Sequence, residues 1–266
     1  MFRPLPPGAK VIFVHIPKTG GTSFGRALAS EYSHDIRFLE GGVRLAHEQI
    51  RTMTRAELEP YRAFSGHLPF GLHRDLPFAC GYVTFLRDPT ERLVSHYFHI
   101  LEDPEHYLHE TLVARRVSLL DYVSSDLTVE LDNHQTRMVA GIEDADRPIN
   151  TCDESLLRLA RTNIERHFHA VGVQEHFDDS LLLARSCLGW REDTFYTAER
   201  VHASRPRGRA IDHQVRTIVE ERNRFDLALH RDAVAHLRRE LELRGAAFFD
   251  ADRPLRRERR QHPVTA

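Results

Sequence analysis

The segment at residues 15–23, HIPKTGGTS, combines several residue types that bind anions. Its two glycines allow the backbone to turn N–H groups toward an anion, and Thr19, Thr22 and Ser23 add hydroxyl donors. Lys18 adds a full positive charge, in a chain where only two of the 37 basic residues are lysines. This combination predicts a phosphate-binding loop, and the alternative is a glycine-containing turn that binds no ligand.

The loop differs from that of the nucleoside triphosphatases. In GxxxxGK[ST] the lysine directly follows the second glycine, whereas Lys18 precedes both Gly20 and Gly21. Asp88 follows an apolar run, but a helix N-cap explains it better than a magnesium ligand. Pro89 and a glutamate three residues after Asp88 complete the signature of a helix start. We therefore expect anion binding without a metal ion.

A second set of anion-binding side chains follows a later apolar run. Arg87 comes directly after residues 81–86, and Ser95 comes eight residues later. Ligands of open α/β sheets bind at the carboxyl ends of the strands, where Arg87 is expected. Arginine can hold an oxyanion with two hydrogen bonds, and serine can donate a third. The alternative is an arginine paired with a carboxylate and a serine that faces solvent.

Strands and helices must alternate to position these residues. Core strands are predicted at the apolar runs 10–15, 63–67, 81–86 and 168–173, with a weaker pattern at 37–39. Helices are predicted at residues 22–32, 47–61, 88–101, 105–123, 130–140, 153–166 and 177–188, with two more at 209–248. This alternation predicts a single α/β domain over residues 1–250, with a central, mainly parallel sheet flanked by helices. Residues 251–266 are predicted to be a basic, flexible tail.

The composition argues against several classes of function. The 266 residues include 37 basic and 39 acidic side chains, so no global basic field favours nucleic acid or anionic lipid. Three widely spaced cysteines fit neither a disulfide framework nor a cysteine-rich zinc site, and they suit a reducing cytosol. No apolar run is long enough for a membrane span. We expect a cytoplasmic enzyme, and the near-exclusive use of arginine over lysine indicates a bacterial source.

The two motifs together resemble the sulfotransferases that use 3′-phosphoadenosine 5′-phosphosulfate (PAPS). The matching segments are HIPKTGGTS after one strand and FLRDPTERLVSHY after another, with weaker similarity at residues 132–137 and 171–175. The likeness covers about residues 10–190 and is greatest for the carbohydrate type that includes the heparan sulfate 2-O-sulfotransferases. It implies a nucleotide-kinase-like P-loop architecture, PAPS as the donor and 3′-phosphoadenosine 5′-phosphate (PAP) as the product. It also implies a carbohydrate or other hydroxyl compound as the acceptor, and no metal ion.

The resemblance also implies roles for individual donor-site residues. Arg87 and Ser95 would hold the 3′-phosphate, and Lys18 would stabilise the bridging oxygen as it leaves. Arg205 lies in a segment that resembles the loop closing over the nucleotide in related enzymes, and would contact it. The positions that match the loop for the 5′-phosphosulfate are Pro17, Lys18, Thr19, Gly20, Gly21, Thr22 and Ser23.

A histidine base is implied as well. In the 2-O-sulfotransferases a Gly-His pair between the two cofactor motifs supplies the base that takes the acceptor proton, and His67 stands at that place. Those enzymes have a second histidine two residues earlier, where this chain has Ser65. His15 is the alternative base, although we favour a packed core position for it.

The acceptor side is less defined by the sequence. Asn133 and Arg137 are four residues apart on a predicted helix and are expected to line the acceptor cleft, with ordinary helix polarity as the alternative. Two other functions remain open. A kinase-like transferase would require ATP and Mg²⁺, and a non-catalytic protein of the same fold would bind nucleotide or glycan without transfer. Nothing in the sequence indicates the oligomeric state.

Overall fold

The protein, seen in a computed structural model that describes residues 2–143, 146–190 and 211–250, is built on one five-stranded sheet. The strand order is β2-β3-β1-β4-β5, and each neighbouring pair is parallel. The strands are β1 Lys10–Val14, β2 Ile36–Leu39, β3 Ala63–Gly66, β4 Cys80–Leu86 and β5 Phe168–Val173. The predicted α/β fold and its parallel sheet are confirmed.

Helices flank the sheet and connect its strands. Within the described ranges they are α1 Gly21–Tyr32, α2 Val43–Thr52, α3 Arg55–Leu58, α4 Pro89–Glu102, α5 His109–Ala114, α6 Leu119–Ser124, α7 His134–Ala140, α8 Glu154–His167, α9 Phe177–Leu188, α10 His213–Arg222 and α11 Arg224–Asp250. None of them is long and apolar enough to cross a membrane, as far as the described residues extend. Residues 251–266 lie outside those residues, so the domain boundary at 250 stays a prediction.

Two predicted helices are each divided in the structure, and the helix expected at 130–140 begins only at His134, as α7. The helix expected at 47–61 ends at Thr52, and α3 begins with a capping box in which Thr54 and Glu57 bind each other's backbone N–H groups. The helix expected at 105–123 is likewise divided, because Ser118 and Asp121 form the same box at the start of α6. A side chain that satisfies the first turn of a new helix favours a break at that point.

Aromatic side chains from the helices pack against the central strands. Phe24 of α1 lies 4.8 Å from Phe13 of β1 and 4.8 Å from Phe85 of β4, measured between ring centroids. Every residue of β1 is buried, as expected for a parallel sheet covered on both faces. The positions at which these strands end are therefore held by a rigid core.

The register of β1 brings three chain segments to one edge of the sheet. Val14 is paired with Gly66 of β3 on one side and with Thr84 of β4 on the other. The segment after β1 is the loop with Lys18, the next residue after β3 is His67, and Arg87 is the next residue after β4. The loop therefore lies between the histidine and the arginine.

Candidate active site

The loop between β1 and α1 has an unusual backbone conformation. Lys18 has a φ of 68° and Gly20 has a φ of 86°, so two left-handed residues flank Thr19. Left-handed residues within a turn direct successive N–H groups to one side and create a concave site for an anion. The left-handed conformation costs a lysine about 1–2 kcal/mol, and such strain persists where the surrounding structure or a function requires it.

Glycine is required at both positions that lead into α1. A Cβ atom at Gly21 would lie 2.0 Å from Cδ2 of His15, and one at Gly20 would lie 3.1 Å from Cγ of Gln174. Gly20 is also the N-cap of α1, and a glycine has no side chain that could occupy the N–H groups of the first turn. These groups and the helix dipole are thus available to an anion at the end of the loop.

The three hydroxyl groups of the loop differ in their surroundings. Thr19 is fully buried, and its Oγ1 donates to the carbonyl of Ile16 at 2.9 Å, so its proton is used within the loop. The expectation that the Thr19 hydroxyl donates to an anion stays a prediction, which would require the hydroxyl to exchange this partner. Thr22 is exposed and Ser23 is buried, both in the first turn of α1.

Arg87 lies beside the loop and is largely buried. Its Nη1 donates to the carbonyl of Lys18 at 3.0 Å, and its Nη2 lies 3.7 Å from a carboxylate oxygen of Glu91. Glu91 and the half-buried Ser95 are four residues apart and share one stripe along α4, and Arg87 lies just before the N-cap of this helix. The structure thus places Arg87 in contact with the loop and Ser95 on the helix that follows Arg87.

The start of α4 has the predicted cap. Asp88 accepts a hydrogen bond from the N–H of Glu91 at 3.0 Å, and Pro89 is the first helical residue. The N–H of Asp88 donates to Glu175 at 2.9 Å, which anchors the turn after β4 to the segment after β5. The Glu91 carboxylate faces Arg87, so the structure shows one half of the expected capping box.

His67 stacks on His15 at the end of β3. Their ring centroids are 4.2 Å apart, and Nδ1 of His67 lies 2.8 Å from the carbonyl oxygen of His15. Because a carbonyl only accepts, Nδ1 carries the proton, and Nε2 of the neutral ring has a free lone pair. The His67 side chain is exposed, so an external substrate can reach it.

Both histidines are held in the neutral form. Desolvation by the surrounding protein lowers the pKa of His67, the charge of Lys18 lowers it further, and the hydrogen bond to His15 opposes them. Burial, His67 and Lys18 together lower the pKa of His15 to about 3. At neutral pH this stacked pair therefore offers an unprotonated nitrogen beside a charged ammonium group.

The positive charge of Lys18 affects more histidines than the sequence indicated. Burial is the larger cause in each case, but Lys18 contributes to a lowered pKa at His15, His67, His96, His99 and His106. Three of these belong to α4 and the segment after it, far from Lys18 in sequence. Because His96 follows Lys18 by 78 residues, no short sequence motif could show this proximity.

A cavity of about 490 Å³ opens beside the histidine pair. It lies between α1 and the ends of β2 and β3, and its lining includes His15, Thr22, Arg26, Phe38, Glu40 and His67. A volume in this range accommodates a small organic ligand. Because β1 separates β3 from β4, the cavity and Arg87 lie on opposite sides of the loop.

Asn133 and Arg137 have packing roles in the structure. Asn133 has a φ of 48° and precedes α7, so the predicted shared helix face is wrong. Its Oδ1 accepts from the N–H of Phe225 at 2.9 Å, and its Nδ2 donates to the carbonyl of Arg222 at 2.8 Å. Arg137 is 1% exposed and is bonded to Asp132 and to loop carbonyls. Neither side chain lines the cavity described above.

Two further sequence predictions concern Arg205 and metal ions. Arg205 lies outside the described residues, and its contact with a nucleotide stays a prediction. Over the described ranges, no group of three or more histidine, cysteine, aspartate or glutamate side chains is arranged to hold a metal ion.

Comparisons with known proteins agree with the motifs. The model of the sulfotransferase family matches residues 6–230, and the chain therefore belongs to that family. The search of curated proteins finds no match. Among solved structures, the crystal structure of mouse sulfotransferase SULT7A1 complexed with PAP aligns with 12% identity and a TM-score of 0.34, covering 88% of this chain and 90% of that chain. The resemblance drawn from the two motifs is confirmed at the level of the family.

Proposed function

We propose that this sulfotransferase moves the sulfuryl group of PAPS to a hydroxyl of a carbohydrate or glycoconjugate, with His67 as the base. The observation that carries the proposal is the order of three segments at one edge of the sheet. His67 follows β3, the loop with Lys18 follows β1, and Arg87 follows β4, in neighbouring positions. A base and an anion-binding surface thus flank the same lysine.

The donor site consists of two parts that suit the two charged ends of PAPS. The left-handed turn at Lys18 and Gly20, together with the N-terminus of α1, would hold the 5′-phosphosulfate. Arg87 and Ser95 would hold the 3′-phosphate, since a buried guanidinium binds a phosphate with charge-assisted hydrogen bonds.

Catalysis in this site would depend on position and charge. The acceptor oxygen forms a bond to sulfur while the bond from sulfur to the phosphate oxygen breaks, and PAP leaves. Lys18 would stabilise the negative charge that develops on the leaving oxygen, and Nε2 of His67 would take the acceptor proton. The hydrogen bond from Nδ1 of His67 to the His15 carbonyl keeps the His67 ring in the tautomer that leaves Nε2 unprotonated.

The cavity beside His67 is proposed as the acceptor site. Arg26 and Glu40 offer polar contacts to hydroxyl groups, and Phe38, which is 53% exposed, offers an aromatic surface for the apolar face of a sugar ring. The volume of about 490 Å³ accommodates a short glycan segment or a glycoconjugate headgroup. Asn133 and Arg137 do not line this cavity.

The proposed function is tested by transfer of radiolabelled sulfate from PAPS to a panel of acceptors. The panel contains neutral sugars, sulfated and uronate-containing glycans, glycolipids and phenols, each with wild type and with His67→Ala. We expect label on a carbohydrate with wild type and almost none with the variant. Label on a phenol alone would refute the carbohydrate acceptor. Binding of PAP without any transfer would favour a non-catalytic protein.

We also propose a cytoplasmic location in a bacterium. All three cysteines, Cys80, Cys152 and Cys187, are free thiols. Free thiols are the usual state in a reducing compartment. Fractionation of the source cell would test this, and recovery of the protein in the periplasmic or membrane fraction would refute it.

A further inference from the structure

The side-chain amide of Gln135 binds the main chain of Arg87 in both directions. The N–H of Arg87 donates to Oε1 of Gln135 at 2.9 Å, and Nε2 of Gln135 donates to the carbonyl of Arg87 at 2.8 Å. The pairing of β4 with β5 ends one residue earlier, at Leu86 and Val173. Gln135 is 1% exposed and thus supplies, from α7, the two main-chain bonds that a neighbouring strand would otherwise make.

Gln135 is itself held in place by hydrogen bonds between the starts of α7 and α11. The N–H groups of Gln135 and Thr136 donate to the carboxylate of Asp226 at 3.1 and 2.7 Å, and the Thr136 hydroxyl donates to it at 2.7 Å. In return, Oδ1 of Asn133 accepts from the N–H groups of Phe225 and Asp226 at 2.9 and 3.3 Å. The starts of α7 and α11 therefore cap each other, which is why Asn133 has no role in the cleft.

These contacts connect the buried helices to the anion-binding surface. From Asp226 they lead through Gln135 to the main chain of Arg87, and the Arg87 guanidinium then bonds to the carbonyl of Lys18 at 3.0 Å. We propose that Gln135 is a positioning residue for the donor site. By holding the main chain of Arg87 it sets where the guanidinium meets the 3′-phosphate. The inference rests on the proposed role of Arg87 in the function above.

A positioning role has a consequence that a purely structural role lacks. A site held in its binding geometry before the ligand arrives loses less entropy on binding than a flexible one. Loss of the Gln135 amide should therefore weaken ligands that contact Arg87 much more than ligands that do not. PAP and adenosine 5′-monophosphate (AMP) form a suitable pair, because they differ only in the 3′-phosphate.

The test is calorimetric titration of the Gln135→Met variant with PAP and with AMP. Methionine conserves the volume of glutamine but makes neither hydrogen bond. We expect the Kd for PAP to rise about 10-fold and the Kd for AMP to rise less than about 2-fold. Gln135→Glu keeps the acceptor for the Arg87 N–H and loses the donor, so it should give an intermediate PAP-to-AMP ratio. If the methionine variant does not fold, the glutamate variant is judged by the same ratio.

Asn163 provides the matched control. It is a buried amide whose Nδ2 donates to the carbonyls of Val139 and Ala140, at 3.0 and 3.2 Å, near the other end of α7. Asn163→Leu should lower thermal stability and leave the PAP-to-AMP ratio unchanged. An equal change of the ratio in both variants, or no change in either, would overturn the inference.

Arg87→Ala separates the inference from the proposed function. If Arg87→Ala lowers the preference for PAP over AMP and Gln135→Met does not, only the positioning role is refuted. If Arg87→Ala itself leaves that preference intact, the assignment of Arg87 to the 3′-phosphate fails, and the positioning role fails with it.

Discussion

Helices α1 and α7 begin with the same backbone geometry but differ in what meets their first turns. The N-caps Gly20 and Asn133 are both left-handed, and neither side chain caps its own helix. At α7, the carboxylate of Asp226 accepts the N–H groups of the second and third helical residues. At α1, no side chain within the described residues accepts a hydrogen bond from the N–H of Thr22 or Ser23, which are the corresponding positions.

The difference fits the proposed function, in which the start of α1 binds a ligand and the start of α7 does not. The N-terminus of a helix carries partial positive charge and is stabilised by an anion. At α7 the protein supplies the fully buried carboxyl group of Asp226, which accepts the N–H groups of this turn. At α1 the protein supplies two cations instead, Lys18 and Arg87, beside the turn. In the proposed function, the phosphate groups of PAPS would supply negative charge at this helix start.

The largest effect is expected at His67, which borders the α1 loop but takes no part in anion binding. His67→Ala should lower turnover by about 10²–10⁴-fold and leave the Kd for PAP nearly unchanged, because only the proton acceptor is lost. Wild-type kcat/KM should fall as the pH falls through the lowered pKa of His67, below about 6.5, and the variant should lose this acidic limb. Steady-state kinetics across pH check both outcomes. Near-wild-type turnover at neutral pH would assign the base to another residue.

Lys18 should show a smaller loss that divides between turnover and donor binding. Lys18→Ala should lower turnover by about 10²–10³-fold, the range for removal of one group that stabilises developing charge. It should also weaken PAPS more than PAP, because the contact with the bridging oxygen requires the sulfate. Single-turnover kinetics and competition binding measure the two quantities. Equal weakening of PAPS and PAP would show that Lys18 serves only as a general positive charge.

Asp226 tests the other helix start. Asp226→Ala should reduce the free energy of unfolding by about 3 kcal/mol, since three donors at the start of α7 would lose their buried acceptor. Asp232→Ala on the same helix is the control. Its half-exposed ion pair with Arg161 should contribute less than about 1 kcal/mol. Urea denaturation measures both, and equal losses would contradict the structural role of Asp226.

The smallest effect is expected from a substitution that gives the first turn of α1 a carboxylate, as Asp226 gives the first turn of α7. Thr22→Asp places a carboxylate in the exposed first turn of α1, where it should favour the helix by about 0.3–1 kcal/mol. The same charge should raise the Kd for PAP by about 10-fold, because it occupies the site intended for the ligand's anion. Thr22→Asn is the neutral control of equal size. Unchanged PAP binding in the aspartate variant would show that the α1 terminus does not bind the ligand.

Local signals in the sequence predicted the strands and the helix start that position the proposed donor-site residues, but not the contacts that hold them in place. The strand before Lys18 and the cap formed by Asp88 are encoded by neighbouring residues, and both were found where expected. The capping boxes at Thr54 and Ser118 were equally local but were missed, because the periodic apolar pattern continued across them.

The scaffold behind Arg87 had no local signal. Asp226 meets Gln135 across 91 positions of the chain, and only the packing of α11 against α7 brings them together. For the same reason Asn133 was predicted to line the cleft, although its side chain caps a distant helix. The spacing of polar residues in one short helix does not reveal whether their hydrogen-bond partners belong to a ligand or to another helix.

The most direct test of the central claim is the affinity of the protein for PAP, AMP and ATP with Mg²⁺, measured calorimetrically for wild type and Arg87→Ala. The account predicts that wild type prefers PAP, and that Arg87→Ala weakens PAP by about 2–4 kcal/mol with a much smaller loss for AMP. Equal weakening of PAP and AMP would make Arg87 structural. Binding of ATP with Mg²⁺ but not of PAP would contradict the sulfuryl donor and favour a phosphoryl transferase.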